Sequence, residues 1–268
     1  MVNLNETNYP FFTYVPSSFA AGVFGMLVYT SLVGWLIQSL KVKCRPAMLG
    51  FFIFGAHLTA FIDLVLRATV SLDVYNTTTL YKVTAPMLSI PPRFLLFANY
   101  HCLVELRGKK PHRSIDRIID IIVPVVGITA DILLAVANEL SFKPKYLNLS
   151  FHFRQASAGL ILALAILFYV VWYLAVSRAR RLYILPLLAV SSGAVLIEAI
   201  YVLLISNVPL FFPLNENEFW YYVGHLVPIV IAFLTWNIFH PSRVLPPKET
   251  ETSHDETGKE LLPQPPAV

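Results

Sequence analysis

The sequence predicts an all-α membrane protein: a polytopic bundle of seven transmembrane helices, N-terminus outside and C-terminus in the cytosol. Three observations predict it. The 268 residues are 56% hydrophobic and 13% charged, with a mean hydropathy of +0.64, far less charge than a soluble domain carries. Seven apolar runs fall at about 19–40, 47–70, 82–106, 118–139, 155–176, 183–206 and 219–239. Each is near the ~20 residues that cross a ~30 Å hydrocarbon core, where a backbone must bond to itself. Third, glycan acceptors and basic loops alternate between the runs.

The chain opens with residues 1–18, which hold no Lys or Arg. A basic n-region is missing, so the first run is expected to stay in the membrane and export a short lumenal N-terminus. The sequon Asn5-Glu6-Thr7 lies there. Lys41, Lys43 and Arg45 follow the first run. Asn76-Thr77-Thr78 separates the second run from the third. Arg107, Lys109, Lys110, Arg113 and Arg117 follow the third, and Asn148-Leu149-Ser150 precedes the fifth. Arg178, Arg180 and Arg181 follow the fifth, while the opposite segments hold Lys143 and Lys145. Cytoplasmic loops carry the Lys/Arg excess and glycan acceptors face the lumen, so both signals give the same orientation. The third run contains Pro86, Pro91, Pro92 and Arg93. It is kept as a kinked span, since without it the sequons and basic loops would fall on mixed sides.

The domain organisation follows: an extracellular or lumenal N-terminus over 1–18, a seven-helix domain over 19–239, and a polar, Pro-rich cytosolic tail over 240–268. The tail is too poor in apolar residues to fold. The formal charge of +4 sits in the inner loops and suits an anionic cytoplasmic leaflet; nucleic acid is excluded as a partner. Cys44 and Cys102 both fall on the cytosolic side and are expected as reduced thiols. Trp35, Tyr100, Trp172, Trp220, Tyr221 and Trp236 are read as interfacial belt residues.

Ionisable residues inside a bilayer cost several kcal/mol unless paired or hydrated. Asp63 and Arg67 lie four apart on one face of the second run, suited to mutual neutralisation. Arg93, Asp131 with Asn138, and Glu198 lie on the third, fourth and sixth runs. Glu218, Tyr222 and His225 form a stripe on the seventh. Depth counting puts most of these at mid-membrane or nearer the outside. Two readings follow: a polar cavity for a headgroup, open toward the outer leaflet, or a set of interhelical ion pairs that specify packing. Asp63, Arg67, Arg93, Asp131, Glu198, Glu218, Tyr222 and His225 are the candidate binding and transport residues; Asn5, Asn76 and Asn148 are the candidate glycosylation sites. His57, His101, His225 and Asp63 raise the question of a zinc site, but no H-x-x-H or H-E-x-x-H spacing accompanies them. No G-x-S-x-G elbow or Walker A loop occurs. No cofactor, metal or catalytic residue is expected.

The ends of the chain resemble the fungal RTA-like lipid-translocating exporter family. Glu218, Tyr222 and Pro228 match its pattern entering the last helix, with His225 where the family has aspartate. Asn237, Phe239, His240, Pro241 and Arg243 match the end of that helix. Tyr14, Pro16, Ser17, Ala21 and Phe24 match the N-terminal signature, with Gly22 at a usual asparagine. Pro92, Tyr100 and Glu198 also fit, whereas Ser191 and Val195 stand where the family has arginines. The resemblance implies seven helices in the plasma membrane or a secretory endomembrane. It also implies translocation or export of amphipathic lipids, such as sphingoid bases or sterol-like compounds, in fungal stress resistance. Its partners would be membrane lipids and an amphipathic small molecule; no motif names a protein partner. A seven-helix receptor-like sensor is the alternative, though the chain has neither an outer-loop cysteine nor an Asn-Pro-x-x-Tyr end. A membrane-embedded hydrolase is a third reading.

Overall fold

Helix starts and stops follow the local chemistry. The computed structural model describes residues 17–41, 46–70, 74, 77–107, 118–176 and 185–241. Asn5, Asn76, Cys44, Tyr14, Pro16, Arg243, the tail beyond Pro241, and the inner-loop basic residues other than Lys41 and Arg107 lie outside them. Among the described residues there are helices and no strand. The long rods are α1 (Ser18–Lys41), α2 (Ala47–Thr69), α3 (Thr78–Arg107), α4 (Val123–Leu140, entered through a π-helical turn at Ile118–Ile122), α5 (Leu147–Val176) and α6 (Leu185–Ile205). A short α7 (Val208–Asn215) leads to the last rod, α8 (Glu218–Ile238). The Ser17 hydroxyl caps α1 by accepting from the Ala20 N–H at 3.2 Å. The Asn217 side chain caps α8 through the Phe219 N–H at 2.9 Å. Both satisfy donors that a helix start leaves open.

Among the described residues six helices are long and apolar enough to cross a membrane, which marks an all-α polytopic membrane protein. The exception among the seven rods is α3, which carries Lys82, Arg93, Asn99 and three internal prolines. It runs on as helix through Pro86, Pro91 and Pro92. It packs against α2, α4, α5, α6 and α8, and Pro91, Pro92, Arg93, Asn99 and Tyr100 are buried. A helix covered by neighbours needs less apolar surface than one covered by lipid. The rest of the bundle has the reverse pattern. Ile128, Ile132, Ile166, Ile197 and Leu204 face outward, while Asp63, Arg67, Glu198 and His225 are inside.

Successive rods pack side by side, and α8 closes the ring by packing on α1 and α6. At one end of the bundle both Glu218 carboxylate oxygens accept from the Ser17 N–H, at 2.9 and 2.8 Å. At the other end Ser39 Oγ lies 3.2 Å from His240 Nε2. The first and last rods therefore run parallel. Asn148, at the start of α5, is at the Ser17 end and Lys41 is at the opposite end.

Close approaches let these rods mesh. Phe94 of α3 sits over Gly55 of α2, and Phe97 of α3 over Gly127 of α4; a Cβ on either glycine would stand 2.5 Å from the ring. Small residues at crossings are the usual means of packing helices in lipid. Gly224 of α8 lies under Tyr201 of α6, where a Cβ would come within 2.3 Å. Gly224→Ala is therefore expected to destabilise the bundle by about 1–3 kcal/mol through overpacking, read as a lower unfolding midpoint in detergent. Gly22→Ala, whose Cβ would meet nothing within 4 Å, is the neutral control.

The belt reading fails for four aromatics. Trp35, Tyr100, Tyr221 and Trp236 are buried. Trp236 donates its indole N–H to Ser191 Oγ at 3.0 Å, and Tyr100 donates its hydroxyl to the Leu164 carbonyl at 2.7 Å. The Tyr221 hydroxyl likewise donates to Asp63 Oδ2 at 3.0 Å, and Trp35 packs its ring against Trp236 and His240, so all four are held within the bundle. Trp220 is exposed.

Candidate functional site

Two π-helical turns, Ile118–Ile122 and Tyr222–Leu226, each stand immediately before a Val-Pro pair. Proline has no N–H to continue the α-helical ladder, and a π turn absorbs the mismatch. In α8 the Val227 N–H reaches back to the Tyr222 carbonyl. That turn carries His225, and it directs the imidazole into the bundle.

Three polar groupings meet there. In the first, Arg67 Nε donates to Asp63 Oδ2 at 2.9 Å, and the Tyr221 hydroxyl donates to the same oxygen at 3.0 Å. The Arg67 guanidinium also lies 4.0 Å over the Tyr221 ring, a cation–π contact. All three side chains are buried, with Arg67 only 1% exposed. In the second, His225 Nδ1 is 2.9 Å from Glu198 Oε1, both buried. The Tyr221 and His225 rings, 5.4 Å apart, join the two groupings. In the third, Arg93 pairs with Asp131 and donates to Ser157 Oγ at 3.1 Å. Ser157 in turn donates to the Ala130 carbonyl at 2.7 Å. Asp131 lies on the outside of α4, with its side chain 54% exposed.

Arg93 and Glu198 feel each other's charge and line one cavity of about 120 Å³ between α3, α4, α5 and α6. Room of this size holds several waters or a small polar group. Its deep part is Arg93, Glu198 and Ser157. Toward the Ser17 end it is lined by Tyr81, Asn138, Arg154 and Asn215, and elsewhere by apolar side chains such as Leu88, Leu134, Ile161 and Val202. No known protein family, curated protein or solved structure matches the chain.

Of the candidate residues, Arg93 and Glu198 line the cavity. Asp63, Arg67 and His225 stand behind it in the connected polar chain, and Asp131 backs Arg93 from outside. Glu218 and Tyr222 lie elsewhere. The Tyr222 hydroxyl donates to Glu218 Oε1 at 2.9 Å, and Glu218 holds the Ser17 N–H, so this pair fastens α8 to the start of α1. Asn148 is exposed, while its sequon partner Ser150 is buried and donates to the Ala137 carbonyl at 2.8 Å.

Arg154 is the residue the sequence reading missed. It donates from Nη2 to the Tyr81 hydroxyl and to Asn138 Oδ1, both at 2.9 Å. A signal was present: it stands three residues before Ser157 on the same helical face.

The histidines do not converge. His57 Nε2 is 2.9 Å from Ser31 Oγ, and its Nδ1 is 2.8 Å from the Ile53 carbonyl. This has the hydrogen-bond pattern of a serine–histidine dyad. Yet His57 is fully buried under Phe233, 3.7 Å between ring centres, and the cavity does not reach it. Asn237 donates to Ser31 Oγ at 2.6 Å, so the group joins α1, α2 and α8 as polar packing. His101 stacks on Phe52 at 5.3 Å. Among the described residues no group of three or more His, Cys, Asp or Glu is placed to hold a metal ion.

Proposed function

We propose that this protein translocates amphipathic lipids across a membrane of the secretory pathway or the cell surface, as the resemblance to the RTA-like exporters implies. In this reading α3 is the seventh span and the Ser17 end faces the lumen or exterior. Two features support the span count. Parallel first and last rods require an even number of chain reversals between them, which seven crossings supply and six do not. The five helices around α3 also account for its low apolarity. The sequons and basic loops support the orientation, with Asn148 and Lys41 at opposite ends of the bundle.

The observation that carries the function is the cavity. It places a buried carboxylate and guanidinium at its deep end, polar groups toward the Ser17 end, and apolar walls between. Buried charge of this kind costs free energy in a bilayer and is retained where polar cargo passes. A headgroup bound there would leave most of its hydrophobic tail to the lipid. The test is purified protein in vesicles carrying a tail-labelled fluorescent lipid, read as loss of dye protected in the inner leaflet. Transfer clearly faster than in empty vesicles supports translocation. Saturable dye binding without transfer would overturn it in favour of the receptor-like sensor.

A further inference from the structure

Glu198 of α6 and His225, on the π turn of α8, form a pair that can hold one proton or two. Both side chains are buried, and His225 Nδ1 is 2.9 Å from Glu198 Oε1. A hydrogen bond there needs one proton between the two atoms, given by the imidazole to the carboxylate or by the carboxyl to the imidazole. With that proton alone the pair carries one negative charge; with a second it is neutral. The second proton belongs to the pair rather than to either residue. Glu198 also lines the cavity, and its Oε2 makes no hydrogen bond among the described residues. One end of the pair therefore meets the space that cargo would occupy.

The neighbouring charges limit what can join Glu198 there. Arg93 of α3 faces it and is paired with Asp131 of α4. Arg154 of α5 lines the same cavity toward the Ser17 end, bonded to Tyr81 and Asn138. Beyond His225, the Tyr221 hydroxyl bonds to Asp63, which pairs with Arg67 of α2. The Tyr201 ring of α6 lies against Gly224, next to His225. Of the other helices packed on α6 and α8, α7 has no ionisable residue, and the charged residue of α1 is Lys41 at its far end. A second proton neutralises the pair, and so does a cation against Oε2. Both together would bury a surplus positive charge beside Arg93, which a low-dielectric interior disfavours.

We propose that Glu198 exchanges the pair's second proton for the cation of a cationic amphiphile, so that each cargo molecule carried one way returns one proton the other way. One positive charge moves in each direction and the cycle is electroneutral. A pH difference drives it and a voltage does not. This inference rests on the translocase reading and adds its driving force.

The experiment uses the full-length protein in vesicles with a quaternary ammonium lipid labelled in its tail. That charge cannot be shed as a proton, so a pH difference does not trap the probe in empty vesicles. With the interior one pH unit more acidic, protons leave and the probe enters. The exchange is reversible, so mixed orientations of the protein give the same end point. The inner leaflet is expected to become about tenfold enriched, the ratio that one pH unit sustains in a 1:1 exchange. An ionophore that swaps potassium for protons should abolish the enrichment, and a potassium diffusion potential at equal pH should not replace it. Enrichment driven by the potential, or transfer faster than in empty vesicles that leaves the leaflets equal despite the pH difference, would overturn the exchange and leave the translocase reading standing. A phosphodiester lipid with the same labelled tail is run in parallel. If it moves and the quaternary probe does not, the exchange again falls by itself; if neither outpaces empty vesicles, both fall. In detergent, binding of the quaternary probe should release up to one proton per cation, and Glu198→Gln should release none. Equal release from both proteins would also overturn the exchange. The vesicle comparison on the unaltered protein stands even if the variant fails to fold.

Discussion

Asp63→Ala is expected to destabilise the bundle by about 3–5 kcal/mol, the usual cost of breaking a buried ion pair from one side. The carboxylate accepts from both Arg67 and Tyr221, and the guanidinium against it is almost wholly buried. Without that carboxylate, Arg67 keeps the Tyr221 ring beneath it, which offsets only a small part of the desolvation. The measurement is the unfolding midpoint in detergent, together with the fraction of protein that stays monodisperse. Replacing both partners with apolar residues of similar volume, Asp63→Leu with Arg67→Met, should recover most of the loss, because such swaps are often near neutral. An Asp63→Ala protein as stable as the original would show that the pair does not hold α2 to α8.

Glu198→Gln should have the opposite profile: folded protein with transfer of the preferred lipid reduced about 10- to 100-fold, equivalent to the ~1.5–3 kcal/mol of a hydrogen bond to a charged group. Glutamine keeps the length of the side chain and still pairs with His225. What it removes is the negative charge that faces Arg93 and the cavity. Asp131→Asn is the informative companion. Asp131 touches Arg93 from outside the cavity, so its loss should act through the placement of Arg93 and cost less than the loss of Glu198. Unchanged transfer by a well-folded Glu198→Gln protein would remove Glu198 from the mechanism.

The helices were legible because hydropathy and helix ends are local properties. The run read at 47–70 is α2 at Ala47–Thr69, and the run read at 219–239 is α8 at Glu218–Ile238. The clear miss is the start of α5, read at 155 and found at Leu147. His152, Arg154 and Gln155 lower the hydropathy of its first turns, although Leu147 and Phe151 there pack against Phe211 of α7, and Ser150 and Arg154 bond to α4. That miss concealed Arg154. The Asp63–Arg67 pair could be read because it lies within one helix. The Glu198–His225 and Arg93–Asp131 pairs could not, since which faces meet depends on how the rods cross. The same holds for Trp35 and Trp236: an aromatic near a helix end looks alike in sequence whether it faces lipid or a neighbouring helix. Asn237 and His240, first noted only in a terminal motif, bond to Ser31 and Ser39, so that stretch fastens α8 to α1.

The seam between α1 and α8 also sets a timetable. Gln38, Ser39 and Ser31 of α1 find partners 199, 201 and 206 residues later in the chain. At about 5–20 residues per second of synthesis, α1 waits roughly 10–40 s in the membrane before those partners are made. Throughout that interval Ser31 can meet His57 of α2, but Gln38 and Ser39 have no matching helix. A ribosome stalled before Glu218 would leave that end of the stripe bare, and such a nascent chain becomes a natural client for membrane chaperones and quality-control proteases.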